Sequence, residues 1–342
     1  MAKSQTIIFA AIAVLGALLL SVCAPLLTYS TTIALFGITH VLCELRYVDQ
    51  RFGRDIKQRF AMGLGTLLTG VVIFRLLVIA KIVPSWRVTT FEVILVFFIA
   101  VYSATLLHEK KESPWLAILV ASLLLTGWLI SPAGTLLIMA FLHNLTPIGF
   151  IVEGVPASFR QSATYLCLLV FVLMPLLILS GWPHVLLENW LGVWPDASFL
   201  ATGPLASQLG VYLPVAIRDT SWAINAFSAA SFAQCMHYVA VIHVLPRIQQ
   251  RFQKSDTQTT WLSWPTPQKF LLLVSGASVL FSLSFFWDFQ TARSFYGIFA
   301  ALHAWVEIPL LMLAFAAIKS SAKAKVPTAS ILYSPATKPA AL

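Results

Sequence analysis

Charge is scarce in this sequence: 10% of its 342 residues are Asp, Glu, Lys or Arg, against roughly 25% in an ordinary soluble domain. A hydrated surface cannot be built from so few charges, and 59% of the chain is hydrophobic. Cysteine is also sparse. Cys23, Cys43, Cys167 and Cys235 lie inside apolar runs without a Cys-x-x-Cys spacing. That pattern argues against a thiolate metal site or a redox pair and for packing. Gly-rich phosphate loops, a Gly-x-Ser-x-Gly elbow and Asp-rich diphosphate motifs are missing, which removes the common signatures of nucleotide and ester chemistry.

What is there is apolar sequence in long runs. They lie near 7–27, 29–46, 60–83, 89–107, 115–131, 133–152, 163–181, 221–246, 267–289 and 294–318. At about 20 residues per crossing, these predict an all-α polytopic bundle of about ten transmembrane helices over residues 1–318. The first run follows Lys3 as a signal peptide would. Its length and the spans behind it favour a retained helix. Residues 182–220, with Trp182-Pro183 and Trp194-Pro195, read as an interfacial loop with short amphipathic pieces. Residues 319–342 are rich in Ser, Ala, Lys and Pro and read as a disordered tail.

The net charge of +9 does not indicate nucleic acid, because the basic residues sit in short loops between spans. With the N-terminus cytoplasmic, 17 of the 22 Lys and Arg fall on the inner side, densest at Arg46, Arg51, Arg54, Lys57 and Arg59. Both termini are therefore expected in the cytoplasm, with the bilayer as the main partner. No Lys lies mid-span to hold a Schiff base, since Lys81 ends the third run.

An acid or base at the bilayer centre costs about 2.5 kcal/mol or more on insertion scales, so such residues mark sites or partners. Here the set is His40 and Glu44 in the second run, His143 in the sixth, His237 and His243 in the eighth, and His303 and Glu307 in the tenth. Two share the pattern His-x-x-x-Glu, and residues four apart share a helix face. Imidazole is the commonest metal ligand, and a neighbouring carboxylate can ligate or orient it. Counting about 1.5 Å per residue, His143 and His237 lie about 15 Å from the inner surface and His303 somewhat deeper. A helix tilt of about 20° would bring most of the set into one layer. His237 and His243 are six apart, about 240° around a helix, so both are not expected at one centre. Taken singly, these histidines also fit hydrogen-bonded bridges between helices. His108 and His184 read as solvated. Pro147 lies four residues after His143 and frees its carbonyl, which predicts a kink.

Gly37-Ile38-Thr39-His40-Val41-Leu42-Cys43-Glu44 resembles the Gly-Ile-Pro-His-Gly-x-x-Asp signature of the Brp/Blh family, bacterial membrane oxygenases that cleave β-carotene to retinal. Tyr238-Val239-Ala240-Val241-Ile242-His243-Val244-Leu245-Pro246-Arg247 is similar to that family's Tyr-Phe-x-x-Trp-His-Ser-x-Arg-His segment, and Leu302-His303-Ala304-Trp305 to its closing Pro-His-Met. About 30 residues carry the resemblance. Thr39 replaces a Pro, Glu44 an Asp, and Arg247 stands where a second histidine would follow His243.

The resemblance implies a bacterial cell-membrane protein with non-haem Fe(II), dioxygen and a hydrophobic carotenoid-like or lipid substrate. The candidate ligands are His40, His143, His237, His243 and His303, and the candidate catalytic residues are Glu44, Glu307 and Tyr238. Three other classes use the same residues: a transporter relaying protons, a b-type haem protein with axial histidines, and a non-catalytic assembly factor. The halves show no repeat of the kind many transporters carry.

Overall fold

The structure is a computed structural model that describes residues 2–252 and 260–323, with side chains over 11–250 and 260–320. It is all-α, with no strand among the described residues. The helices are α1 Ala2–Cys23, α2 Pro25–Phe52, α3 Gln58–Ile79, α4 Ser85–Glu109, α5 Trp115–Ile130, α6 Pro132–His143, α7 Thr146–Gly154, α8 Arg160–Leu168, α9 Met174–Leu179, α10 Trp182–Leu191, α11 Leu205–Gln208, α12 Ala223–Val239, α13 Leu245–Phe252, α14 Pro267–Trp287 and α15 Phe289–Lys323. Wide π-turns at Leu169–Leu173 and Ala240–Val244 join α8 to α9 and α12 to α13.

Eight of the ten expected runs form helices long and apolar enough to cross a membrane. Of the other two, Trp115–Ile130 is a shorter apolar helix, and α1 is apolar over Ala11–Cys23. At 1.5 Å per residue the 16 residues of α5 reach about 24 Å, less than the roughly 30 Å hydrocarbon core. The chain turns back at Ser131-Pro132, where the Ser131 hydroxyl accepts the Gly134 N–H as an N-cap.

Three spans form the interior. In Pro25–Asp55, Ala223–Gln250 and Phe289–Ser320 the most apolar stretch is 61%, 72% and 61% buried, whereas in Gln58–Ile79 and Pro267–Trp287 it is 11% and 17%. α2 packs on α1, α12, α14 and α15, and α15 on α3, α4 and α7. Every intramembrane His-x-x-x-Glu thus lies on an interior helix. The outer helices present Leu, Ile and Phe outward, as a lipid-facing surface requires.

Residues 182–220 fold as α10, α11 and two single 3-10 turns. Trp182, Val185, Leu186, Trp190 and Leu191 are exposed along α10, an apolar face suited to the headgroup boundary. The disordered tail was expected from Lys319. The last helix instead continues to Lys323, and 324–342 lie outside the described residues. All four cysteines are free and buried or half-buried, as packing residues are.

Candidate metal centre

The second, sixth, eighth and tenth runs meet in one place. His40, His143, His237 and His303 each offer a nitrogen, and these atoms all lie within 4.8 Å of one another. His40 Nε2 is 3.2 Å from His303 Nε2, which is 2.9 Å from His143 Nε2. His40, His237 and His303 are almost fully buried.

The other ring nitrogens show how these contacts could hold a cation. His303 Nδ1 is 3.0 Å from the Phe299 carbonyl, His40 Nδ1 is 3.4 Å from the Phe36 carbonyl, and His143 Nδ1 is 2.7 Å from Glu307 Oε2. The two carbonyls only accept, so in neutral His303 and His40 rings bonded to them the proton sits on Nδ1 and Nε2 presents a lone pair, and an ionised Glu307 sets His143 the same way. In that assignment the His303 Nε2 lone pair faces those of His40 and His143 across 3.2 and 2.9 Å with no hydrogen between them. Such an arrangement is repulsive in a low-dielectric interior unless a positive charge lies among them. An imidazole held through its outer nitrogen by a carbonyl or carboxylate is also how metal-ligating histidines are oriented.

His237 and Glu44 add further donors. Neither His237 nitrogen and neither Glu44 oxygen has a well-formed hydrogen bond; His237 Nε2 lies 3.4 Å from Glu44 Oε2, and the Glu307 carboxyl lies beside Glu44. The same Glu44 oxygen is 3.9 Å from His303 Nε2. Glu44, His143 and Glu307 form a second close group of possible ligands that shares His143 with the first. Buried polar atoms normally find partners, and this cluster gathers several side-chain donors that a bound cation could satisfy together. The donors, imidazole with carboxylate, suit iron, zinc, copper or nickel.

Local sequence explains the positioning. Gly37, one turn before His40, lets the Tyr296 ring approach so closely that a Cβ there would meet it at 2.8 Å. Thr39 hydrogen-bonds Ser278 of α14. The kink expected from Pro147 is present: α6 ends at His143, and the Thr146 hydroxyl caps the freed His143 carbonyl at 2.8 Å. The break re-aims the chain where His143 enters the cluster. The π-turn at Ala240–Val244 begins three residues after His237, a distortion that often accompanies functional residues in helices.

Tyr238 stacks on the His40 ring with centroids 3.9 Å apart, and its hydroxyl is 2.8 Å from that of Tyr296. His243 does not join the cluster. It is exposed on the π-turn, and its carbonyl accepts from Arg247 at 3.0 Å. The six-residue offset had already set His237 and His243 on different faces, and the interior one is His237. His108 is exposed as expected. His184 departs from its solvated reading: it is half-buried with Nε2 3.3 Å from the Ser228 hydroxyl. Its burial pushes the imidazole below its ordinary value, with Glu188 opposing.

Other intramembrane charges escaped the sequence reading as a unit. Arg75 of α3 clamps Glu92 of α4 through two hydrogen bonds at 2.9 and 2.8 Å, and Trp305 donates to the same carboxylate at 2.9 Å. Arg75 also donates to the Gly297 carbonyl. The clue was one base and one acid alone in adjacent spans. At one end of the bundle Arg51 pairs with Glu153. Asp49 accepts from Trp261 N, Leu262 N and Trp264 Nε1 instead of pairing with a loop cation.

Two cavities flank the cluster. One of about 600 Å³, the more polar of the two, is lined by His40, His143 and His303 among others. The second, about 420 Å³, is lined by Leu123, Leu124, Ile138, Met139 and Phe315, and reaches His143 and Glu307. Compared with protein-family models, curated proteins and solved structures, the chain matches none.

Proposed function

We propose that this membrane protein is a non-haem iron oxygenase, or a related redox enzyme, that acts on a hydrophobic carotenoid-like or lipid substrate. The observation that carries the reading is the convergence of the Nε2 atoms of His40, His143 and His303, with His237 and Glu44 beside them, in the middle of an apolar bundle. His40, His143, His237 and His303 would hold the ion, with Glu44 as the carboxylate on its side. Bound iron would supply the means to bind and activate dioxygen. The chain's own work is to hold the imidazoles in their tautomers, exclude water and bring a hydrophobic molecule alongside. Tyr238 and Tyr296 restrict the His40 ring from one side, and the apolar cavity offers hydrocarbon a place next to His143. The segment around His40 that resembles the Brp/Blh family supports the same reading, with a looser likeness around His303, whereas His243 of the second resembling segment lies outside the cluster.

In this proposal the protein lies in a bacterial cell membrane with both termini cytoplasmic, on the distribution of basic residues. The close approach of the imidazoles leaves no planar slot for a porphyrin, which disfavours a b-type haem. The Glu44–His237 and His143–Glu307 contacts do favour one alternative, a proton relay in a translocating protein. Metal analysis of detergent-purified protein separates the two: iron bound and lost on His303→Ala supports the oxygenase, and a metal-free folded protein removes it. Co-expression in a β-carotene-producing bacterium then tests the substrate, because carotenoid cleavage bleaches the cells and yields an apocarotenal.

A further inference from the structure

The polar cavity carries more positive charge than its surroundings balance. Three arginines line it: Arg75, Arg218 and Arg293. Arg75 is neutralised by Glu92. Neither Arg218 nor Arg293 has a carboxylate within ion-pair distance among the described residues; Arg293 Nη1 donates to Gln208 Oε1 at 2.5 Å, and Arg218 Nε to the Leu213 carbonyl at 2.9 Å. Those acceptors are uncharged and use part of each guanidinium, which carries five donors in a planar fork.

Both groups are held in place. Arg218 packs against Gly210 so closely that a Cβ on that glycine would meet its guanidinium at 3.1 Å. Arg293 lies beside the Tyr29 hydroxyl, which is buried in the cavity wall without a well-formed hydrogen bond. Deeper in the wall, Tyr212 donates to Gln234, which donates to Thr32 at 2.7 Å. Half-buried guanidinium groups whose remaining donors face the cavity, beside the buried Tyr29 hydroxyl, form a receptacle for a group that brings negative charge and several acceptor oxygens. On the far side of His143, Ala304 and Trp305, which line both cavities, the second cavity is almost wholly apolar.

We infer that the polar cavity binds the anionic end of an amphiphile, a carboxylate or a phosphate, on Arg293 and Arg218 with Tyr29, while its hydrocarbon runs past the histidines toward the apolar cavity. Calling that amphiphile the substrate rests on the oxygenase reading; the binding site itself does not. Within the carotenoid-like or lipid class of the oxygenase reading, this favours a substrate that bears an acidic end.

The test is equilibrium binding to the full-length protein in nanodiscs of zwitterionic lipid, using hexadecanoate, hexadecyl phosphate and hexadecanol as probes. The anionic probe that fits should bind about tenfold or more tightly than the alcohol, as expected for a charge-assisted contact. Whichever anion is tighter identifies the headgroup chemistry. Arg293→Gln and Arg218→Gln should each remove most of that preference while leaving bound metal unchanged, which also shows that the variants are folded. Tyr29→Phe should weaken anion binding less. His40→Ala should lower bound metal and keep the anion preference. Equal affinity for alcohol and acids, no binding of any probe, or an unaltered preference in both arginine variants would overturn the inference. Anion preference in a protein that never binds iron would instead overturn the oxygenase reading and leave this site standing.

Discussion

The segments His40-x-x-x-Glu44 and His303-x-x-x-Glu307 are the same in sequence and different in the fold. Each places its imidazole and carboxylate on one face of an interior helix. In neither does the carboxylate serve its own histidine first. Glu44 approaches the inner Nε2 atoms of His237 and His303, at 3.4 and 3.9 Å, and also lies beside the Glu307 carboxyl. Glu307 meets the outer Nδ1 of His143 at 2.7 Å. Glu44 therefore stands where a ligand would, and Glu307 where a group that orients a ligand would. Helical spacing determines which side chains look the same way; which nitrogen a carboxylate reaches depends on helices far away in sequence.

The largest effect that sharpens this comparison is expected from His303→Ala. His303 Nε2 is within 3.2 Å of both His40 and His143, so its loss should empty the site, read as metal per chain in the purified variant. Retained stoichiometric metal would remove His303 from the ligand set.

Next come the two carboxylates. Glu44→Gln should reduce metal affinity more than Glu307→Gln, because Gln at 307 still offers an oxygen to His143 Nδ1. Loss of an orienting partner typically costs about 10- to 100-fold in affinity. Competition with a chelator ranks the variants, and equal or reversed losses would break the distinction drawn between the two segments.

Arg75→Leu probes a charge cluster with a different purpose. It strands Glu92 among apolar helices, which should destabilise the protein by about 3–5 kcal/mol while the folded fraction keeps its metal. Thermal unfolding in detergent, with metal content measured on the soluble fraction, checks both halves. The smallest effects belong to His243→Ala and His108→Ala, exposed residues away from the cluster. Unchanged metal binding is expected, and a loss in His243→Ala would mean that the π-turn side chain reaches the ion.

Much of this was legible before any coordinates. Sparse charge and ten apolar runs sufficed for an all-α membrane bundle, because hydrocarbon forces the backbone to satisfy itself within each helix. The kink after His143 followed from the Pro147 ring alone. His40, His143 and His303 could be chosen because a histidine in a span needs a reason. The choice between His237 and His243 could not be made, since both lie on one apolar run and only its packing against α2 and α7 shows which face is interior. Arg75–Glu92, Arg293 and Tyr29 were missed for the same reason. Their meaning lies in pairings across helices, which periodicity along one helix does not contain.

The most direct test of the central claim is X-ray absorption spectroscopy at the iron edge, with total metal analysis, on protein purified without chelators. One bound iron surrounded chiefly by imidazole nitrogen is expected, with the signal lost in His303→Ala. A correctly folded protein that binds no transition metal, or binds one without imidazole scattering, would contradict it.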